Sequence, residues 1–263
     1  MLTDLHCHLL PGIDDGARDL EQSLAMARIA VDHGIATAVV TPHHLNGVYT
    51  NPAEGIRTAT ERLRTALDEA GIPLRLLPGN ELHLTPETPA ALRDGTGLTI
   101  ADRGRAALVE LPVHTVPVGA EQLLEQILEL GITPVVAHPE RNSELRRNPE
   151  RLAEWVEMGC LGQVTAQSCS GRFGEGPREA AKTMVLAGSI HVVASDAHRD
   201  RRRIPSLEPA VEPLRRWAGN DVATLLVRKF PSDLAAGREI DRERLVAALP
   251  NRRRGLMRRL FGR

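Results

Sequence analysis

The chain has 263 residues, a formal net charge of -1 and 42% hydrophobic content. That length suits one large core of the size common in α/β barrels, and the near-neutral charge gives no overall field for nucleic acid. Aromatic residues make up only 2% and cysteines number 3, so the core must be aliphatic and no disulfide framework is expected. No apolar run approaches the ~18 residues needed to span a bilayer. The first residues carry a histidine pair rather than a signal peptide, so a reduced cytoplasmic protein is expected.

Residues 3–9 read as a strand. Its period of two puts His6 and His8 on one face and Cys7 on the other, so the imidazoles pair as metal ligands while Cys7 packs. Asp14-Asp15-Gly16 follows as a tight turn bearing hard oxygen donors. Apolar residues at helical spacing over 20–33 stop at Gly34. Residues 35–41 form a buried-type strand running into Pro42-His43-His44. A helix over 52–70 closes at Gly71, and a strand over 74–77 leads to Gly79-Asn80-Glu81.

Residues 83–104 are looser, with a short helix near 89–93. A strand over 106–111 carries Glu110 near its end, and a helix over 119–130 follows. A strand over 132–137 ends in His138-Pro139-Glu140-Arg141. Asn148-Pro149 supplies an N-cap and a first-turn proline for a helix over 149–158. A weaker strand over 160–165, a helix over 177–186 and a strand over 190–194 lead to Ser195-Asp196-Ala197-His198. Helices are expected over 206–218, 220–229 and 240–248. The span 1–250 reads as one domain. The basic tail 251–263 reads as a solvated, disordered end, with a membrane surface or an acidic partner as the alternative.

Seven strands alternating with helices predict a parallel α/β architecture. Neither a GxGxxG nor a GxxxxGK[ST] motif is present, so dinucleotide and P-loop readings fail. The polar residues share a position. His43, Glu81, Glu110, His138, Asp196 and His198 all stand at or just beyond the carboxyl ends of apolar runs, where α/β barrels place their functional groups. With His6, His8 and Asp15 they form a set of nitrogen and oxygen donors too large for one ion, so two or three ions sharing carboxylates fit better. Such a cluster can clamp a phosphate and acidify a bridging water. Arg141 and Arg203 are placed to grip phosphate oxygens. Cysteine-based phosphatase chemistry needs an arginine six residues after the thiolate, and Ile13, Ala166 and Glu175 stand there instead. His44 reads as a neighbour of the ligands, His83 and His114 as solvated loop residues, and His191 as part of the strand wall. Gln163 is open between the mouth and the core.

The runs DLHCHLLPGIDDGA, TPHH, GNEL, LVELP, VVAHPER and ASDAH resemble the polymerase-and-histidinol-phosphatase superfamily. Within it they are similar to the bacterial manganese-dependent protein-tyrosine phosphatases of capsule and exopolysaccharide loci. The resemblance runs from residue 3 to about 205 and weakens after about 245. It implies a distorted (β/α)7 barrel, TIM-like, with three divalent metal ions at the carboxyl ends of the strands. Manganese is the first expectation, and iron, zinc or cobalt are admitted by the donor types. One ion takes His6, His8, Glu81 and Asp196; a second takes Asp15, His43 and His198; a third takes Glu81, Glu110 and His138. The motif favours Asp15 over Asp14. Arg141 and Arg203 match arginines that hold phosphate, although Arg199, Arg201 and Arg202 crowd the same loop. The implied activity is hydrolysis of phosphotyrosine in proteins, and the implied partner is the autophosphorylated tail of a tyrosine kinase of polysaccharide synthesis. The alternatives keep the site and change the substrate to histidinol phosphate or a nucleic-acid end, or make the chain a silent metal-stabilised module. Scarce aromatics argue against nucleic acid.

Overall fold

The computed structural model describes residues 1–250, so the basic tail 251–263 lies outside the described residues. Nine strands appear among the described residues: β1 Leu2–Cys7, β2 Ile35–Val40, β3 His43–His44, β4 Arg75–Pro78, β5 Glu81–His83, β6 Ala106–Glu110, β7 Thr133–Ala137, β8 Leu161–Thr165 and β9 Val192–Ala194. They form two sheets, β1-β2-β4 and β3-β5-β6-β7-β8-β9, and every neighbouring pair is parallel. All seven expected strands are present; the short strands β3 and β5 are additional. They arise because the chain turns at Pro42 and at Gly79-Asn80 and then pairs afresh: the Pro42 carbonyl accepts from the Glu81 N–H at 3.2 Å and from the Asn80 amide at 3.2 Å. The extra strands therefore place His43 and Glu81 side by side in register.

The far ends of the two sheets are also linked. Cys7 bridges Ala197 in parallel, the Asp196 N–H donates to the His6 carbonyl at 2.9 Å, and the His8 N–H donates to the Ala197 carbonyl at 2.8 Å. Strands of both sheets feed one small buried cluster that contains Leu5, Val39, Leu77, Leu108, Val135, Leu161 and Val192. A larger cluster joins the strands to the helices. Each fully buried Leu or Val contributes roughly 1.5–3 kcal/mol, so a core nearly free of aromatics suffices. Cys7 packs there as expected, fully buried, with its thiol donating to the Val39 carbonyl at 3.3 Å.

The expected helices appear as Leu20–Asp32, Ala53–Glu69, Thr88–Asp94, Ala120–Glu129, Glu150–Met158, Glu175–Leu186, Glu208–Ala218 and Arg242–Ala248. Asp19 caps the first by accepting from the Gln22 N–H at 2.8 Å, and Gly34 leaves it at a φ of 76° that favours glycine. Asn148 is not the expected cap. Its own N–H closes the preceding turn on Glu144 at 3.0 Å, and Pro149 begins the next helix without a side-chain cap. The capping asparagine is Asn142, which accepts from Glu144 and Leu145 and starts an unexpected helix, Ser143–Arg147. The expected helix over 220–229 runs instead through Asn220–Thr224, a wide turn at Leu225–Lys229, and Phe230–Ala235.

His191 sits in the strand wall as expected, 1% exposed, with its Nδ1 accepting from the Gly162 N–H at 3.3 Å. Burial, aided by the Arg242 charge, pushes its pKa down to about 3. Between that value and the ordinary value of 6.5, the unfolded chain binds a proton that the folded chain refuses. Stability therefore rises with pH across this window, by about 1.4 kcal/mol per unit for this group. In His191→Asn the loss of unfolding free energy between about pH 7 and about pH 5 is expected to shrink by about 2 kcal/mol. Urea unfolding at the two pH values checks it; an unchanged loss refutes the assignment.

Candidate metal centre

The centre begins on β1, whose register with β2 shifts between Asp4 and Cys7. Such an irregularity re-aims side chains beside functional sites. Asp4, buried beneath the centre, accepts from the Ser195 N–H at 3.0 Å and the Ser195 hydroxyl at 2.5 Å. It thereby fixes the segment carrying Asp196 against the strand carrying His6. The next turn folds back on the strand: the Ala17 N–H donates to the His8 carbonyl at 3.0 Å, and the Gly16 N–H to Asp14 Oδ1 at 2.8 Å. An added Cβ at Gly16 would collide with the His8 backbone, so the turn requires glycine.

All nine expected donors meet at this end of the strands. His6 Nε2 lies 3.2 Å from His8 Nε2, 3.1 Å from Glu81 Oε2 and 3.4 Å from Asp196 Oδ1. Glu81 Oε2 also lies 3.3 Å from His8 Nε2 and 3.0 Å from His43 Nδ1. Asp15 Oδ1 is 3.3 Å from His43 Nε2 and 3.4 Å from His198 Nε2. His138 Nε2 is 2.9 Å from Glu81 Oε1 and 3.6 Å from Glu110 Oε1. Three overlapping groups have a shape that could hold an ion: His8 with Asp15, His43 and His198; His6 with His8 and Glu81; His43 with Glu81 and Glu110.

His138 Nε2 and Glu81 Oε1 are within hydrogen-bond distance at 2.9 Å, but the separations around Glu81 Oε2 and His43 Nδ1 fit coordination better. Glu81 Oε2 and His43 Nδ1 are buried without a hydrogen-bond partner despite lying 3.0 Å apart. Donors bonded to a common ion at about 2.1 Å stand roughly 3.0–3.5 Å from one another. A buried, orphaned carboxylate oxygen among three imidazole nitrogens is costly unless a cation completes it.

The charges are interlocked. Desolvation opposes the charge on Glu81, yet His6 and His43 hold its carboxyl well below the usual range. Desolvation likewise acts on Asp196, where Arg203 and His6 prevail and keep it low. His8 is pushed up to about 9 because Asp14, by charge and hydrogen bond, outweighs the desolvation of its ring. His43 rises to about 12 against desolvation through Glu81 and Asp15. His198 falls to about 4 through desolvation and the neighbouring His8 charge.

Two rings are held from behind. Asp14 Oδ2 takes His8 Nδ1 at 2.7 Å, and Gln163 Oε1 takes His6 Nδ1 at 2.8 Å. When the rings are neutral, each bond favours the tautomer that leaves Nε2 free for a cation. Asp14 is thus a support for His8 while Asp15 stands among the donors, and Gln163 faces the mouth. Sequence reasoning missed Asp4, although it lies on the same period-two face as His6; the supporting role of Asp14 had no local signal.

Both expected arginines reach Asp196: Arg141 Nη1 and Arg203 Nη2 converge on Oδ2, Arg203 at 2.5 Å. Arg199 instead binds the carbonyls of Asp15, Gly16 and His198, and Arg201 is exposed. His138, Asp196 and Arg203 have φ of 32°, 51° and 51°. Backbone strain of about 1–3 kcal/mol at each is typical of functional sites. His44 accepts from the Asn51 N–H at 3.1 Å and stays outside the donor set. His83 stands 3.5 Å from Glu110, whereas His114 Nδ1 lies 3.4 Å from the Ser143 hydroxyl. Burial pushes the Cys160 thiol up to about 12, and the Cys7 and Cys169 thiols upward as well, so no thiolate nucleophile is available.

Parallel strands carrying a cluster of nitrogen and oxygen donors at their carboxyl ends define a metal-binding α/β protein. The family described as capsular polysaccharide synthesis, CpsB/CapC, matches residues 2–235, and this chain belongs to it. The chain is 40% identical over 225 residues to the tyrosine-protein phosphatase YwqE of Bacillus subtilis (strain 168), covering 86% of this chain and 88% of that one. It is 31% identical over 223 residues to the tyrosine-protein phosphatase CpsB of Streptococcus pneumoniae, covering 83% and 91%. A solved structure from work on YwqE of Bacillus subtilis and CpsB of Streptococcus pneumoniae, described as unique metal-dependent tyrosine phosphatases, superposes with a TM-score of 0.80. It is 38% identical and covers 94% of this chain and 95% of its own.

Coordination requires neutral imidazole, whereas the metal-free centre holds His8 and His43 protonated at neutral pH. Loading metal-free protein with a divalent ion at about pH 7 is therefore expected to release about two protons or more. Calorimetric titration in two buffers of different ionisation enthalpy measures this. Loading without proton release contradicts the account.

Proposed function

We propose that this chain is a divalent-metal-dependent phosphomonoesterase that hydrolyses phosphotyrosine in proteins. The observation that carries the reading is the convergence of nine nitrogen and oxygen donors beside two arginines that share one carboxylate. The resemblance to phosphatases throughout the matched length supports it. We read the architecture as a distorted (β/α)7 barrel within a single domain over 1–250. The inner cluster fed by both sheets and the Cys7–Ala197 bridge support that reading. Among the described residues no helix is long and apolar enough to cross a membrane. The proposed substrate is the autophosphorylated tail of a tyrosine kinase of polysaccharide synthesis.

Three ions, manganese first among the candidates, are assigned to His6, His8, Glu81 and Asp196; to Asp15, His43 and His198; and to Glu81, Glu110 and His138. Bound there, divalent ions would supply Lewis acidity at the phosphoryl group and an acidified water. The remaining work falls to the chain. Arg141 and Arg203 present guanidinium N–H groups to phosphate oxygens and offset their growing charge in an in-line displacement. Asp196 keeps both arginines aimed at the centre. Asp14 and Gln163 keep the His8 and His6 rings from rotating away. A phenolate leaves readily, so assistance to the leaving group matters less than for an alkyl ester.

His138→Ala is expected to lower phosphotyrosine-peptide turnover by at least about 100-fold, since even residues behind the ligands cost 10–100-fold. Circular dichroism should show the fold retained. Histidinol phosphate and single-stranded DNA ends are assayed beside the peptide. Unchanged turnover in the variant removes His138 from the centre, and preferential turnover of either comparison substrate overturns the phosphotyrosine assignment.

A further inference from the structure

The whole chain contains three phenylalanines, one tyrosine and two tryptophans. Among the described residues, Trp155 and Phe230 are buried in the core and Trp217 packs against it. The other two described aromatics, Tyr49 and Phe173, belong to neither core cluster. Both are half-buried, and both lie on residues of the centre. The Tyr49 ring stacks on His43 with centroids 6.1 Å apart and planes 11° from parallel. The Phe173 ring lies under the Arg141 guanidinium, 5.1 Å from centroid to carbon.

Their loops are built to hold them. The Tyr49 N–H donates to Asn46 Oδ1 at 2.7 Å. Asn51 pins the same loop to the carbonyls of Ile13 and His43 at 3.0 and 2.9 Å. Phe173 stands in a turn closed by the Arg172 N–H on the Gln167 carbonyl at 3.0 Å and the Gly174 N–H on the Gly171 carbonyl at 2.9 Å. This turn follows β8, and the Tyr49 loop follows β3, so both emerge at the carboxyl ends of strands where the donors lie. Preformed loops spend little ordering entropy on binding. A chain so poor in aromatics that leaves two of its described aromatics outside the core, each resting on a residue of the centre, has a use for flat apolar faces there.

We propose that Tyr49 and Phe173 are the walls of an aryl subsite that receives the phenol ring of the substrate and selects aryl over alkyl phosphates. This rests on the phosphatase reading above and names the residues that would give it aromatic selectivity. In an aryl phosphate the ring is joined to phosphorus through one oxygen. A phosphate held by Arg141 therefore brings the ring beside the arginine that Phe173 supports. Offset or edge-on contact between ring faces gives modest, geometry-dependent affinity. The role is specificity; neither residue takes part in proton transfer or metal binding.

The test is calorimetric binding of benzylphosphonate and methylphosphonate to manganese-loaded protein, wild type against Tyr49→Ala, Phe173→Ala and Phe173→Leu. Wild type is expected to prefer benzylphosphonate. Each alanine variant is expected to lose about 3- to 10-fold in benzylphosphonate affinity, with methylphosphonate affinity falling far less. Phe173→Leu, which keeps an apolar side chain, should lose less than Phe173→Ala. An equal loss for both phosphonates with Phe173→Ala would mean that Phe173 only steadies Arg141, and would overturn its place in the subsite. Unchanged affinities in all variants would overturn the proposal while leaving the phosphatase reading intact. If wild type bound neither phosphonate and left phenyl phosphate intact, the phosphatase reading itself would fall, and the subsite with it.

Discussion

The structure depends on one buried carboxylate. Glu81 is 1% exposed, and its two oxygens lie among the nitrogens of His6, His8, His43 and His138. A lone carboxylate in that position would be prohibitive, and a buried charge is tolerated only when its partners are complete. The imidazoles supply part of that compensation when protonated, and cations supply it when the imidazoles are neutral. The strand break at Gly79-Asn80 exists to serve this residue: it gives Glu81 its own short strand, in register with His43. The rest of the centre is arranged around the need to keep that oxygen pair matched by positive charge.

Around this carboxylate the chain spends hydrogen bonds on rigidity rather than on reach. Asp4 ties the Ser195 segment to the first strand. Asp14 and Gln163 brace two rings from behind. Glu140, fully buried one residue before Arg141, accepts from the Thr165 N–H and the Ser168 hydroxyl, fixing the start of the loop that carries Phe173. The strained backbone at Asp196 directly follows Ser195, which Asp4 holds, and that at His138 stands two residues before the anchored Glu140. Such preorganisation is what phosphoryl transfer asks of a protein, since the chemistry consists of positioning and charge stabilisation.

Much of this was legible in the sequence, for a physical reason. In a parallel α/β protein, buried strands read as apolar runs, so a His, Glu or Asp that interrupts a run at its carboxyl end announces itself. That is why His43, Glu81, Glu110, His138, Asp196 and His198 could be picked out one by one. Breaks within strands were harder. The register shift in β1 and the short strands His43–His44 and Glu81–His83 depend on partners far along the chain. The supporting duty of Asp14 depends on how its turn folds back over His8, and the stacking of Tyr49 and Phe173 on loop paths that no local pattern encodes. Asn148 misled because an asparagine before a proline looks like a cap; the preceding helix claimed its backbone first.

On the proposed assignment, one carboxylate-centred bowl holds several divalent cations at once. Elemental analysis of manganese-loaded protein, wild type beside Glu81→Gln, tests it most directly. The account predicts about three equivalents bound in the wild type and the loss of more than one in the variant, because two of the proposed ion positions share that side chain. A wild type that retains one equivalent or none after loading, or a variant that retains the full complement, would contradict it.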